Sequence, residues 1–520
     1  MATRREMLAA ITAMAATACG GPPPARASAL PRFGPATPFD FGALTARAEA
    51  LAARPYRPAT IAAPDRVEAL TYAEHWRIRY RDAANLYPAG RDAPVQLFHP
   101  ARFFPEPVAI HAVEDGRARE IRFDPGYFAI PSDSPARGLP AETGFAGFRV
   151  MRPDLETDWV SFLGASYFRT DGPGRQYGLS ARGIAVDTAL DTGEEFPRFT
   201  AFWLGGAERA GETMTVWALL DGPSIAGAYR FGLVQGADGS HRTDVEARLF
   251  PRATVGRLGI APLTSMYWYA ERDRRGADDW RPEIHDSDGL AIHTGAGERL
   301  WRALRNPGRV TVSSFLDENP KGFGLIQRDR AFANYQDDGI WYDRRPSAWV
   351  EPAGGWGRGA VQLVEIPTVD ETFDNIVAYW TPEASPPAGS RLDLAYAIHW
   401  LHRDPRPGEM AEVVATWHGR GGVPGDPVPA GVDKMVVDFD GPAIQGLALG
   451  DGLRPVVEMT GGEVVGEVAL RPIVGTPRWR LSFDFRPTGV EPADMRAHLV
   501  RAGQRVSETW MTQAGIERSL

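Results

Sequence analysis

The stretch RPEIHDSDGLAIHTG, residues 281–295, sets Glu283, His285, Asp286 and Asp288 side by side, just after the aromatic run MYWYAERD. A second acidic group lies in VEIPTVDETFDNIVAYW, where Asp370, Glu371 and Asp374 precede Tyr379 and Trp380. Two carboxyl groups carried to one cleft by separate loops can divide the work of glycoside cleavage. One protonates the departing glycosidic oxygen, the other activates water, and nearby rings stack on the apolar faces of sugars. Asp and Glu that merely cap turn amides or pair with Arg produce the same letters, so the pattern alone leaves both readings open.

Metal chemistry fits these residues less well. A calcium loop needs about six to eight oxygen ligands in a compact array, and only a fragment of one is present. His285 and His293 lack a third partner at zinc spacing. An acidic pair holding a cation beside a nucleotide sugar would need a cytoplasmic donor, whereas the N-terminus points to export. The expectation is catalysis with no metal and no cofactor.

The aromatic residues have their own logic. In a strand, alternation puts Tyr267 and Tyr269 on one face and Trp268 on the other, so at least one face serves something besides a single core. A glycan cleft is one use and burial under a second sheet is another.

The elements that must position these groups read as β. A chain of 520 residues exceeds the usual size of a single core, so two or more domains are expected. The net charge of −9, with both signs interspersed, argues against nucleic acid or an anionic membrane as the main partner. PFDFGALTARAEALAARPYRP predicts one amphipathic helix through Phe41, Leu44, Ala48 and Leu51, ended by Arg54-Pro55. PVAIHAVEDGRAREIRF predicts a hairpin turning at Asp115-Gly116, with Val108, Ile110 and Ala112 answering Ile121 and Phe123. Short alternating runs recur as RLDLAYAIHW, KMVVDFD, GEVVGEVAL and WRLSFDF, separated by Gly, Pro and Asp turns. TPEASPPAGS, residues 381–390, reads as a linker. The 391–520 segment beyond it contains about the seven strand candidates of an immunoglobulin-like sandwich.

The N-terminus carries an address. Arg4-Arg5, a mildly apolar run from Met7 to Ala18 and small residues around Ala25–Ala29 predict a twin-arginine signal over 1–29 and a periplasmic mature chain. The apolar run is short of the ~20 residues of a membrane-spanning helix, and no later segment supplies one. Cys19 is the only cysteine, so no internal disulfide is expected. Ala16-Thr17-Ala18-Cys19 also weakly matches a lipoprotein cleavage box, which leaves lipidation of Cys19 open.

The segments FLGASYFRTDGPGRQYGLSARGIAVDTALDTGEEFPRF, GIAPLTSMYWY, RPEIHDSDGL, SSFLDENPKGFGLIQRDRAFANYQD, RRPSAWVEPAGGWGRGAVQLVEIPT and DETFDNIVAYW resemble signatures of the osmoregulated periplasmic glucan biosynthesis proteins, G and D types. The twin-arginine signal resembles the D type. The resemblance implies an all-β protein: a galactose-mutarotase-like sandwich over 38–380, then a smaller immunoglobulin-like sandwich over 391–520. It implies action on β-1,2-glucan as an anomer-inverting endo-β-1,2-glucanase. The alternatives are an inverting transglycosylase that closes linear glucan into a ring, and a non-catalytic glucan-binding factor that assists a membrane glucan synthase.

By motif, Asp374 resembles the general acid and Asp286 the general base, with Glu371 a further acidic residue of the cleft. Tyr342 resembles a tyrosine near the scissile bond. Trp268, Tyr379, Trp380 and His285 complete the expected substrate contacts. Burial beside Trp380 is expected to keep the acid protonated. Asp288 is expected to serve only the turn before Gly289.

Overall fold

The computed structural model describes residues 31–87, 93–274, 278–405, 409–427, 429–489 and 492–514. The expected signal over 1–29 and Cys19 lie outside them. The described chain is nearly all β, as expected, with a few short helices. No helix among these residues is long and apolar enough to cross a membrane.

The chain divides into two compact units that interleave along the sequence. One comprises residues up to Pro262 together with Ala384–Trp400; the other comprises Leu263–Glu383 together with the residues from Leu401 onward. One change of unit falls inside the 381–390 segment, where the strand Ile376–Pro382 ends.

In the first unit, a sheet runs in the order Phe33–Pro38, Arg117–Ile121, Ala109–Glu114, Arg198–Gly205, Met214–Asp221, Ile225–Gln235, His241–Pro251, Leu392–Leu401. The run RLDLAYAIHW is therefore a strand, and it pairs antiparallel with His241–Pro251. The predicted hairpin is present: Glu114 pairs with Arg117 across Asp115 and Gly116, both at positive φ, the geometry of a tight primed turn. Phe148, Phe162 and Phe168 from a second sheet meet Phe202 and Phe231 of the first at ring separations of 5.1–5.7 Å, so the interior between the sheets is aromatic.

The predicted helix spans Phe41–Ala52, with the Asp40 side chain accepting from the Ala43 amide as its N-cap. It buries Leu44 and Ala48 against Trp203 and Trp217 on the first sheet.

In the second unit, the strands Ser347–Pro352, Gly322–Ile326, Gly289–His293, Arg299–Ala303, Thr509–Ala514, Ala493–Arg501 and Leu453–Thr460 form one sheet. Strands Glu412–Arg420, Asp433–Asp440, Trp479–Pro487 and Gly462–Pro472 form another. Met435, Val437, Phe439, Leu481 and Phe483 pack with Met495, Leu499, Trp510 and Trp301 between them. KMVVDFD, GEVVGEVAL and WRLSFDF are strands, as predicted. Thr311–Glu318, Arg358–Glu365 and Ile376–Pro382 make an antiparallel ladder that leads from the acidic loop after Glu365.

Candidate functional site

Both acidic segments belong to the second unit, and short strand contacts begin to hold them together. Tyr267–Tyr269 pairs with Ile284–His285, setting Tyr267 opposite His285 with the rings 5.6 Å apart. The alternation expected of MYWYAE holds: Tyr267 and Tyr269 are buried and Trp268 is half-buried.

Two buried asparagines fasten the downstream acidic loop to this strand. Asn375 accepts from the Tyr267 amide at 2.8 Å and donates to the Tyr267 carbonyl at 2.9 Å. Asn306 donates to the Trp268 carbonyl at 3.1 Å and accepts from the Thr368 amide at 3.0 Å. A side-chain amide offers a donor and an acceptor in one plane, so each residue can bridge two backbones that no strand ladder joins. Asp374, beside Asn375, is exposed. The burial expected of that residue is absent.

Glu371 is buried and shared. It accepts from the Tyr342 hydroxyl at 2.5 Å and from the Arg281 guanidinium at 2.9 Å. Arg281 also donates to Asp337 at 2.7 Å and to Asp279 at 2.9 Å. Burial works against the Arg281 charge, but the bonds to Asp279, Glu371 and Asp337 outweigh it and raise its pKa.

The face of the Tyr342 ring carries the Arg345 guanidinium, 4.2 Å from the ring centre, and Arg345 in turn donates to Asp286. Asp286 is wholly buried, and its amide donates to the Met266 carbonyl at 2.8 Å. Glu371, Tyr342, Arg345 and Asp286 thus form one continuous contact line between the two acidic segments.

His285 lies inside a polar nest. Its ring contacts Glu283 at 3.0 Å through Nε2 and Gln327 at 2.9 Å through Nδ1. Burial alone would lower its pKa, but the hydrogen bond and charge of Glu283 reverse that and push it up to about 9. The imidazolium then donates from both nitrogens. Gln327 donates onward to the Tyr335 hydroxyl at 2.8 Å and the Tyr342 carbonyl at 3.3 Å.

Asp288 does more than serve the turn before Gly289. One of its oxygens accepts from the amides of Arg328 and Asp329, at 3.0 and 2.9 Å, and burial raises its pKa. Asp286 and Asp288 therefore face different partners. Among the described residues, no group of three or more His, Cys, Asp or Glu is placed to hold a metal ion.

The expected ligands sort into three sets. Glu371, Tyr342, Asp286 and His285 are joined through the contacts above. Asp374 and Trp268 are tied to the same framework through Asn375 and Asn306. Tyr379 and Trp380 are fully buried in the strand Ile376–Pro382, with Trp380 6.2 Å from Trp356, so no sugar ring reaches them in this conformation. Arg281, Arg345, Gln327, Asn306 and Asn375 had no signal of their own in the sequence. Arg281, Gln327, Arg345 and Asn375 lie within RPEIHDSDGL, FGLIQRDR, RRPSAW and DETFDN, which supplied the only hint, and Asn306 lies in none of these.

The family model described as periplasmic glucan biosynthesis protein, MdoG, matches residues 39–514. A protein of Ralstonia nicotianae called glucans biosynthesis protein D 2 is 47% identical over 529 residues, covering 99% of this chain and 98% of that protein. Proteins called glucans biosynthesis protein D from Stenotrophomonas maltophilia and Xanthomonas oryzae are 45% and 44% identical, covering 93% and 94% of this chain and 91% and 92% of theirs. The chain belongs to the periplasmic glucan biosynthesis protein family.

Proposed function

We propose that this periplasmic protein cleaves β-1,2-glucan internally with inversion at the anomeric carbon. The observation that carries the reading is the contact line from Glu371 through Tyr342 and Arg345 to Asp286, with exposed Asp374 on the same loop as Glu371. Asp374 gives its proton to the glycosidic oxygen as the C1–O bond breaks. Asp286 takes a proton from the attacking water, received through a substrate hydroxyl and a bridging water because the carboxylate itself is buried. Inversion suits this division, since acid and base act from opposite faces with room for water between.

Glu371 and Tyr342 hold the acid loop against the base segment. Substrate seated over Asp374 would supply the desolvation that the free protein lacks. Neither step calls for a metal or a nucleotide, so chelation leaves the rate unchanged. The 38–380 and 391–520 sandwich assignments and the Arg4-Arg5 export signal belong to the same proposal. Replacing Arg4 and Arg5 with Lys should hold precursor in the cytoplasm.

The deciding experiment incubates purified protein with linear β-1,2-glucan and resolves products by chromatography and mass spectrometry. Shorter linear products of inverted configuration support hydrolysis. Products lighter by one water identify ring closure by transglycosylation, and unchanged glucan that still binds identifies a non-catalytic factor serving the glucan synthase.

A further inference from the structure

The first unit has a small pocket of its own, about 40 Å³ in volume, and Arg198 lines it. Arg198 begins the strand Arg198–Gly205 and is only 8% exposed. Among the described residues its guanidinium makes no hydrogen bond, and its Nε is buried without a partner. Glu106, which also lines the pocket, stands 3.9 Å away, beyond hydrogen-bond reach, with its side chain 43% exposed. Asp221, paired with Arg198 in the strand ladder, is held instead by Arg252 at 2.8 Å.

Two tight turns build the walls. Ala101 and Phe104 exchange backbone hydrogen bonds at 3.3 and 2.8 Å, and their turn carries Phe103 and Phe104 to the pocket. In the other turn, the Tyr167 amide donates to the Gly164 carbonyl at 2.9 Å and the Phe199 amide to the Ala165 carbonyl at 3.0 Å. Gly164 has a φ of 77°, and a Cβ there would lie 2.8 Å from the Phe104 ring, so glycine is what lets that ring approach. Phe162 and Phe199, which also line the pocket, are buried, whereas Phe103 is 58% exposed. The interior is apolar and the outer edge is aromatic.

The chemistry of the walls selects the occupant. A buried guanidinium with open N–H groups is costly until an acceptor completes it. Water needs two to four polar partners, and the Phe104, Phe162 and Phe199 rings offer none; it would also leave the charge unneutralised. A phosphate dianion would bring more negative charge beside Glu106 than one guanidinium balances. A carboxylate matches the planar fork and carries a single charge, and the rings favour an apolar group behind it.

We infer that this pocket is a binding site for a small monocarboxylic acid with an apolar body, its carboxylate on Arg198 and its body against Phe103 and Phe104. The site shares no residue with the acidic site of the second unit, so it stands whether or not glucan is cleaved.

Benzoate is the probe. Calorimetric titration of the full chain at neutral pH should give saturable binding with a Kd on the order of 1 mM or tighter. Benzamide, of the same shape but uncharged, should bind about tenfold more weakly. Arg198→Met keeps an apolar stem without the fork and should abolish binding. Glu106→Gln removes a neighbouring negative charge and should tighten binding about two- to fivefold. Phe103→Ala alters an exposed side chain and should weaken it about two- to tenfold. Thermal melts separate a ligand site from a structural ion pair: a buried guanidinium without a partner burdens the fold, so Arg198→Met should melt at or above the parent temperature. No saturable binding up to about 10 mM benzoate overturns the assignment. Equal affinity for benzamide, or tighter binding of inorganic phosphate, overturns it as well. So does a lower melting temperature shared by Arg198→Met and Glu106→Gln, which would make the two residues a structural pair.

Discussion

The Arg345 guanidinium lies 4.2 Å from the centre of the Tyr342 ring, and that contact adds a second link between the two acidic segments to the direct bond of Arg281 with Glu371. Tyr342 donates its hydroxyl to Glu371 and offers its ring face to Arg345, which binds Asp286, so a single side chain meets a residue of one carboxylate segment directly and one of the other through Arg345. Moving either segment disturbs both.

Tyr342→Phe isolates the first half of this arrangement, because the ring that meets Arg345 is retained while the hydroxyl is lost. A hydrogen bond to a charged group is worth about 1.5–3 kcal/mol, so glucan turnover should fall roughly ten- to hundredfold. Steady-state kinetics with the thermal melt alongside would check this. Parent-like kinetics would show that the Glu371 bond has no part in the reaction.

Asp374→Asn and Asp286→Asn should each reduce turnover by ~10²-fold or more, the usual scale of acid–base catalysis. Their stabilities should part company. Asp374 is exposed, and its amide variant should melt like the parent. Asp286→Asn leaves the buried Arg345 without its anion, a change that costs about 3–5 kcal/mol where a buried pair loses one partner. Equal melting temperatures for the two variants would contradict the burial of Asp286.

Asp288→Ala should be costlier than a turn residue would be. Its carboxylate holds the amides of Arg328 and Asp329, at the start of the segment that carries Tyr342 and Arg345. Losing it leaves two amides without that acceptor, a penalty of about 1–3 kcal/mol each before relaxation. Denaturant unfolding measures the cost, and Asp288→Asn, which keeps an acceptor oxygen, should recover part of it.

Stability should decline in mildly alkaline solution. The folded-state pKa of His285 is raised to about 9 from an ordinary 6.5, so the native protein holds that proton more tightly than the unfolded chain. The resulting stabilisation is fully present below pH 6.5 and is lost as pH rises through 9, up to about 3 kcal/mol. Urea unfolding between these limits should show the slope. Glu283→Gln should flatten it, since the Glu283 carboxylate is what sustains the imidazolium.

Local signals were legible where local physics decides the outcome. Asp115-Gly116 dictates a tight turn wherever the strands go, and Leu44 and Ala48 mark a helix face whatever it packs on. The alternation of Tyr267, Trp268 and Tyr269 survives because that strand is covered more fully on one side than the other. Tyr379 and Trp380 defeat the same rule, since the strand Ile376–Pro382 is buried on both faces through Trp380. The carboxylates were visible as clusters, but their partners were not. Arg345 and Asp286 are 59 residues apart, Arg281 and Glu371 90, and Asn375 and Tyr267 108, so only the completed fold selects one Arg or Asn from many.

The last of the described strands, Thr509–Ala514, braces the second unit. Arg328 binds Glu508, Arg272 binds Thr512, and the Arg299–Ala303 strand pairs in parallel with Thr509–Ala514. These contacts span 180, 240 and about 200 residues of chain. A polypeptide still emerging from the ribosome therefore possesses both acidic segments long before it possesses the strand that braces them. Vectorial folding from the N-terminus cannot finish this part of the molecule. A chain cut short by even this strand should be a substrate for proteases before its second unit is complete.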